Sequence, residues 1–277
     1  MPRVPWKWIA LGLMTAAVIA TAYVWNERSK VQALRAAITN VHTSTLQEAT
    51  KRYETFRDDL VQRVLVAGRT DPVDHADDQV SINGLRKVPG LYLRIPRAQA
   101  DSAEHIAAAA AKAEPDVVAT CIGLAPLSAR GLFELGSFLL PEWLSEARST
   151  DSLLRLRVIE DDLARRVKRD LPSVMTLLQA RWLLLLLEHG PRDRSPVDVF
   201  LYDLRETEPL LQARIQARGI LMSARARFDA ATAQAPRLDP SSAHRSGAVD
   251  CSIGSQIKAI AGSPAAVVSA QQPSDNP

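Results

Sequence analysis

Trp182–Arg218, WLLLLLEHGPRDRSPVDVFLYDLRETEPLLQARIQAR, is the stretch that decides the fold. Trp182 to Leu187 is apolar at both odd and even positions, as in a strand covered on both faces. Leucine is also a good helix former, so a helix is the competing reading there. HGPRDRSP (residues 189–196) has turn composition, and VDVFLYDL (197–204) is β-branched and aromatic, which favours a second strand. After a turn at residues 205–209, Leu211, Ala213, Ile215 and Ala217 alternate with Gln212, Arg214, Gln216 and Arg218. That is a period of two, with one apolar and one wet face. The phase flips at Gly219 and continues through Ile220, Met222, Ala224, Ala226 and Phe228, as a bulge or bend would produce. Residues 179–228 therefore predict an antiparallel meander of three or more strands, and the fold class is α+β.

Upstream, GLYLRIP (90–96) predicts a short strand closed by proline. Residues 101–113 predict an Ala-rich helix capped by Asp101 or Ser102 and ended before Pro115. DVVATCIG (116–123) predicts a buried strand carrying Cys121, and residues 127–139 fit neither period. WLSEARS (143–149) predicts a helical turn. A helix capped by Thr150 or Asp151 should run to about Asp170, with Leu156, Ile159, Leu163 and Val167 buried and Pro172 ending it. Its acid-before-base pairs, Asp161–Arg165 and Asp162–Arg166, mark ARRVKRD as a solvated face.

The N-terminal end reads differently. WKWIALGLMTAAVIATAYVW (6–25) carries no charge after Lys7 and has aromatic residues at both ends. About twenty helical residues just span the roughly 30 Å hydrocarbon core of a bilayer, and aromatic rings suit both headgroup layers. The expectation is a transmembrane anchor at 6–25 behind a short cytoplasmic tail, residues 1–5. The rest would then lie in the periplasm, anchored to the inner membrane. The alternative is a signal peptide cleaved after the small-x-small segment Ala20-Thr21-Ala22, which would release a periplasmic protein.

Residues 26–67 are charged and free of Gly and Pro, predicting a helical stalk. Val31, Leu34, Ile38, Val41 and Thr45 form a heptad-like seam, which Ala49, Tyr53, Phe56, Leu60 and Val64 continue as an ordinary helix face. Two uses of that seam are open: a homodimeric coiled coil, or packing against the chain's own domain. That domain is expected over 68–262, and 263–277 reads as a disordered tail. The acidic segment 71–84, with Asp71, Asp74, His75, Asp77 and Asp78, predicts a solvated loop, because its spacing is not that of a calcium loop. Residues 229–247 read as loop, and 249–261 as a short helix or strand docked on the domain.

Cys121 and Cys251 are the only cysteines. In an oxidising compartment they could form a disulfide, closing a loop of about 130 residues and stabilising by roughly 4–5 kcal/mol in the chain-entropy model; two buried thiols are the alternative. Net charge is +3, and only seven of the 34 Lys and Arg residues are Lys, a bias typical of GC-rich bacterial genomes. The arginines are scattered among acids, so no nucleic-acid-binding stripe is expected. None of HExxH, GxSxG, GxGxxG or a phosphate-binding loop occurs, and no cofactor or metal is expected. The wet strand face of Gln212, Arg214, Gln216 and Arg218 is the one candidate ligand surface. The functional expectation is a non-catalytic envelope protein whose domain binds another envelope protein or a cell-wall component. The alternative is an envelope hydrolase with a dispersed active site, recognisable by His189 or His244 meeting a serine and an acid in one cleft.

Overall fold

The computed structural model describes residues 6–77, 81–113, 117–192, 195–216 and 242–262. In chain order the elements are α1 (Trp6–Asn40), a π-helical turn (Val41–Thr45), α2 (Gln47–Arg69), β1 (His75–Ala76), α3 (Ile82–Leu85), β2 (Gly90–Pro96), α4 (Ala103–Lys112), α5 (Val118–Cys121), β3 (Leu127–Ser128), α6 (Arg130–Leu135), α7 (Trp143–Ser149), α8 (Leu153–Arg169), α9 (Leu171–Leu177), β4 (Trp182–Glu188), β5 (Val197–Asp203), β6 (Pro209–Ile215) and α10 (Ser242–Gly262). They divide into two compact units, 1–55 with 135–173, and 56–134 with 174–277. The expected strand beyond Gly219, the loop at 229–241 and the tail at 263–277 lie outside the described residues.

The first unit is helical. Here α1 packs on α7 and α8, and Val31 and Ile38 are buried. That part of the heptad-like seam is covered by the chain itself and is not a free coiled-coil face. At the π-helical turn the seam departs from the expected register, and beyond it Tyr53, Leu60 and Val64 are buried as expected. Val41 and Thr45 face water while His42 and Leu46 are buried. The wider winding of the π-helical turn shifts the phase of residues 41–46 relative to a straight 3.6-residue pattern. His42 Nε2 meets the Phe138 carbonyl at 3.1 Å, and burial lowers its pKa, with Phe138 opposing. Arg35 donates to the carbonyls of Ala147 (3.3 Å) and Thr150 (2.7 Å) and to Asp151 (3.0 Å), tying the end of α7 to α1. Ser152, one residue later than expected, caps α8 by accepting the Arg155 N–H, and Leu156, Ile159 and Leu163 form its buried stripe.

Among the described residues, whose side chains leave out 7–9 within the apolar run, no helix is long and apolar enough to cross a membrane. The transmembrane reading of Trp6–Trp25 gains no support from that measure. Residues 11–26 are nevertheless exposed at every position, including Leu11, Leu13, Met14, Val18, Ile19, Tyr23 and Trp25.

The second unit is built on a six-stranded sheet in the order β1-β6-β5-β4-β2-β3. Strands β4, β5 and β6 form the expected antiparallel meander, with Leu185 opposite Phe200 and Val199 opposite Ala213. The sheet as a whole is mixed, because β2 runs parallel to β4 and to β3. Parallel partners need a crossover. Here the chain from β3 passes through α6 to α9 before it returns as β4. Strand β4 is buried from Trp182 to Leu187, the two-sided burial its leucines imply. On one face Tyr92, Trp182, Leu184, Leu186, Val199, Leu201 and Ala213 pack against Val118, Ala119 and Ile122 of the α5 region and Ile253 and Ile257 of α10. On the opposite face Arg63 of α2 lies over the Tyr202 ring at 5.5 Å and donates to the carbonyls of Leu204 (3.2 Å) and Glu206. Burial pushes the Tyr202 hydroxyl up to about 12, against the opposing charge of Arg63.

Within the predicted strand at 116–123, of which residue 116 lies outside the described residues, Val118–Cys121 form the short helix α5 instead. Its terminator is Gly123, at φ +82°, a left-handed position that disfavours any side chain. Gly123 N–H bonds the Thr120 carbonyl at 2.9 Å, and Leu124 N–H reaches back to Ala119 at 2.9 Å, as in a glycine C-terminal cap. Cys121 joins Cys251 of α10 in a disulfide with Cα atoms 5.1 Å apart. Gly254 lets α10 come this close, since a Cβ there would stand 3.0 Å from the Cys121 Cβ.

Candidate functional site

Strands β3 and β4 flank β2 on opposite sides. The chain thus leaves the carboxyl end of β2 toward one side of the sheet and later returns on the other. In open α/β sheets such a switch point opens a crevice at the carboxyl ends of the strands, where ligands bind. Two clefts lie there in this chain. One, of about 740 Å³, is lined by residues of β2 and α4 together with Glu188 and Arg192. The other, of about 670 Å³, lies among Pro96, Arg97, Ala98, Glu188 and His189.

Two ionic clusters frame these clefts. In the first, Arg94 is 3% exposed and donates to Glu188 and Asp250, both at 2.7 Å, with Asp250 only 2% exposed. Arg192 stands 3.7 Å from each of the same carboxylates. Asp250 also accepts the Val117 N–H at 3.4 Å, which draws α10 toward α5. In the second cluster Asp198, fully buried on β5, accepts from Arg214 (2.7 Å), His189 (2.7 Å) and Arg97. Arg214 and Arg97 share Asp71 as a second partner, at 3.0 and 3.4 Å. Burial alone would raise the Asp198 pKa, but the hydrogen bonds from Arg214 and His189 outweigh it and hold the carboxyl below its ordinary value. The same contacts, Asp198 before Asp71, raise the Arg214 guanidinium.

Each cluster thus matches two arginines with two carboxylates among the described residues. In the second cluster the Asp198 carboxyl is thus held below its ordinary value and the Arg214 guanidinium above its own. A carboxyl depressed in this way is moved away from the neutral range in which a general acid or base exchanges its proton.

The expected ligand face on β6 also carries structural contacts. Gln212 to Gln216 do alternate in burial, but Arg214 is committed to Asp198 and Asp71, and the Gln216 carbonyl accepts from Gln256 of α10 at 3.0 Å. Arg218 lies outside the described residues. The acidic segment is not simply a solvated loop. His75 and Ala76 form β1 on the edge of β6, Asp74 accepts the Arg214 backbone N–H at 3.3 Å, and Asp71 joins the Asp198 cluster. His105, on the rim of the larger cleft, pairs through Nδ1 with Asp101 at 2.7 Å. Among the described residues no cluster of three or more His, Cys, Asp or Glu could hold a metal ion.

Arg94, Arg97, Asp198 and Asp250 were not candidates on sequence grounds. A signal was present: Arg94 and Asp198 each interrupt a strand that is otherwise apolar, and a charge there requires a buried partner.

Compared with models of known protein families, with curated proteins and with solved structures, the chain matches none.

Proposed function

We propose that this chain is a membrane-tethered, non-catalytic binding module of the bacterial envelope. The N-terminal half of α1 serves as the anchor, and the carboxyl-end clefts of the second unit serve as the binding site. The observation that carries the anchor is the apolar surface of residues 11–26, exposed on every side of the helix. A helix apolar all round is stable only when that surface is buried, and a bilayer is the apolar phase that suits it. The Cys121–Cys251 disulfide supports a periplasmic placement, because such bonds persist in oxidising compartments. The internally neutralised charge clusters support binding over catalysis.

The test is fractionation. The protein is expected in the membrane pellet after high-salt and carbonate washes. A soluble periplasmic species beginning at Tyr23 would overturn the anchor and establish the cleaved signal.

One observation favours hydrolysis as a second reading. His189 pairs with Asp198, and Ser195 in the same turn approaches Gly190 so closely that a Cβ on Gly190 would stand 2.5 Å from its hydroxyl. Labelling by a fluorophosphonate that is lost in Ser195→Ala and in His189→Ala would favour that reading.

A further inference from the structure

We propose that the larger cleft binds a short zwitterionic peptide in extended form, its ammonium group toward Asp101 and its carboxylate toward Lys112. This rests on the reading of the carboxyl-end clefts as the binding site. The α4 segment presents one face to the cleft: Asp101, His105, Ala108, Ala109 and Lys112, at spacings of one to three helical turns. The acid and the base stand at opposite ends of that face. Asp101 stands one residue before the N-cap Ser102 and Lys112 is the last residue of α4, so ten steps at the helical rise of 1.5 Å and one extended step put them about 15–18 Å apart along the chain.

Between the charges the helix offers only the methyl groups of Ala108 and Ala109 and the imidazole of His105, with Ala98 and Pro96 beside them. Such a floor suits small apolar side chains and discriminates little among them. The Asp101 carboxyl is kept ionised by its hydrogen bond to His105. At the base of the cleft, Arg94 and Arg192 are matched by Glu188 and Asp250, so the base adds no net charge among the described residues. A lining with an acid at one end, a base at the other and small side chains between them complements a ligand built the same way. It does not complement a simple anion or cation. An extended chain spans at most about 3.3–3.6 Å per residue, so that separation corresponds to a peptide of about four to five residues. The cleft volume of about 740 Å³ lies within the usual range for ligands of that size.

An acid at the start and a base at the end of α4 also favour the helix dipole. That role affects stability and is blind to a peptide's termini, so the two roles separate in one experiment. Calorimetry on the full chain in detergent micelles compares tetra-alanine with its N-acetyl and C-amide forms, and with glutarate and a neutral oligosaccharide. Tetra-alanine is expected to bind, and each cap to weaken it by about fivefold, as loss of one exposed charge contact does. Lys112→Gln should abolish the penalty for the C-terminal amide and keep that for the N-acetyl group. Asp101→Asn should do the opposite, with melting curves verifying that both variants are folded. Equal affinity for capped and free peptides overturns the proposal. Lys112-sensitive binding of glutarate or the oligosaccharide instead also overturns it, but leaves the cleft as the binding site. Absence of binding by every probe removes the site reading itself.

Discussion

Asp198 is the residue on which the carboxyl end of the sheet turns, and its replacement by asparagine isolates the effect of its charge. Asn keeps the shape and one acceptor oxygen but leaves Arg97 and Arg214 facing a neutral amide. Removing one member of a buried ion pair costs about 3–5 kcal/mol, most of it from the charge left behind. Here the partners are less trapped than that case assumes. Arg214 is 41% exposed and keeps Asp71, so part of its charge can turn to water. Arg97, at 18%, has less freedom. The expected loss is therefore at the lower end, about 3 kcal/mol. With a urea dependence of about 2–3 kcal/mol per molar, that shifts the unfolding midpoint by roughly 1 M. Asp71, 84% exposed and bonded to the same two arginines, is the internal control, and Asp71→Asn should cost under about 0.5 kcal/mol. The pH dependence has a definite sign. The folded-state pKa of Asp198 is depressed, so its contribution is fully present above the unfolded value near 3.9 and is lost as pH falls through the folded value. Wild type should therefore lose stability below about pH 4 more steeply than Asp198→Asn. Urea titrations of the micelle-solubilised full chain at pH 7 and pH 3.5 measure both effects. Equal midpoints for Asp198→Asn and Asp71→Asn at pH 7 would refute the claim that this carboxylate holds the site.

Ile215→Asp should unfold the second unit, because Ile215 is buried in the sheet core, whereas Gln216→Asp, one residue along and exposed, should be nearly silent; circular dichroism melts compare them, and equal effects would contradict the register of β6. Gly90→Val should destabilise by several kcal/mol, since any Cβ there runs into the Trp182 indole across the β2–β4 pair, and the loss should show in the tryptophan emission as well as in the melt. His42 should make the helical unit acid-sensitive: burial lowers its folded pKa, so stability is present above the unfolded value near 6.5 and declines as pH falls below it, and His42→Leu should remove that decline in melts between pH 7.5 and 5.5. Thiol labelling of the denatured, unreduced protein should find no reactive thiol, and two after reduction.

The elements legible in the sequence were those whose periods are set by burial on the strand itself. The leucines of β4 and the alternation of β6 each encode how many faces are covered, and that local information defines a meander joined by short turns. Strand β2 was legible as a strand, but its place beside β4 was not. Parallel pairing across about ninety residues is fixed by crossover packing, to which no short window of sequence responds. The helical register failed at Val41 and Thr45, and was regained by Tyr53, Leu60 and Val64, for a related reason. A π-helical turn leaves the composition of a helix intact while shifting its phase, so an extrapolated heptad puts Val41 where the structure buries His42. DVVATCIG misled because β-branched residues indicate burial as much as strand, and Gly123 ends a helix as readily as a strand. The site was written in the exceptions to the pattern. A charged residue inside a strand apolar on both parities, Arg94 in GLYLRIP or Asp198 in VDVFLYDL, bears a desolvation cost that only a matched partner offsets. Each such residue predicts an opposite charge arriving from elsewhere in the chain. Arg94 finds Asp250 from α10, and Asp198 finds Arg97 from the end of β2, so the two interruptions mark the places where distant segments converge on one end of the sheet.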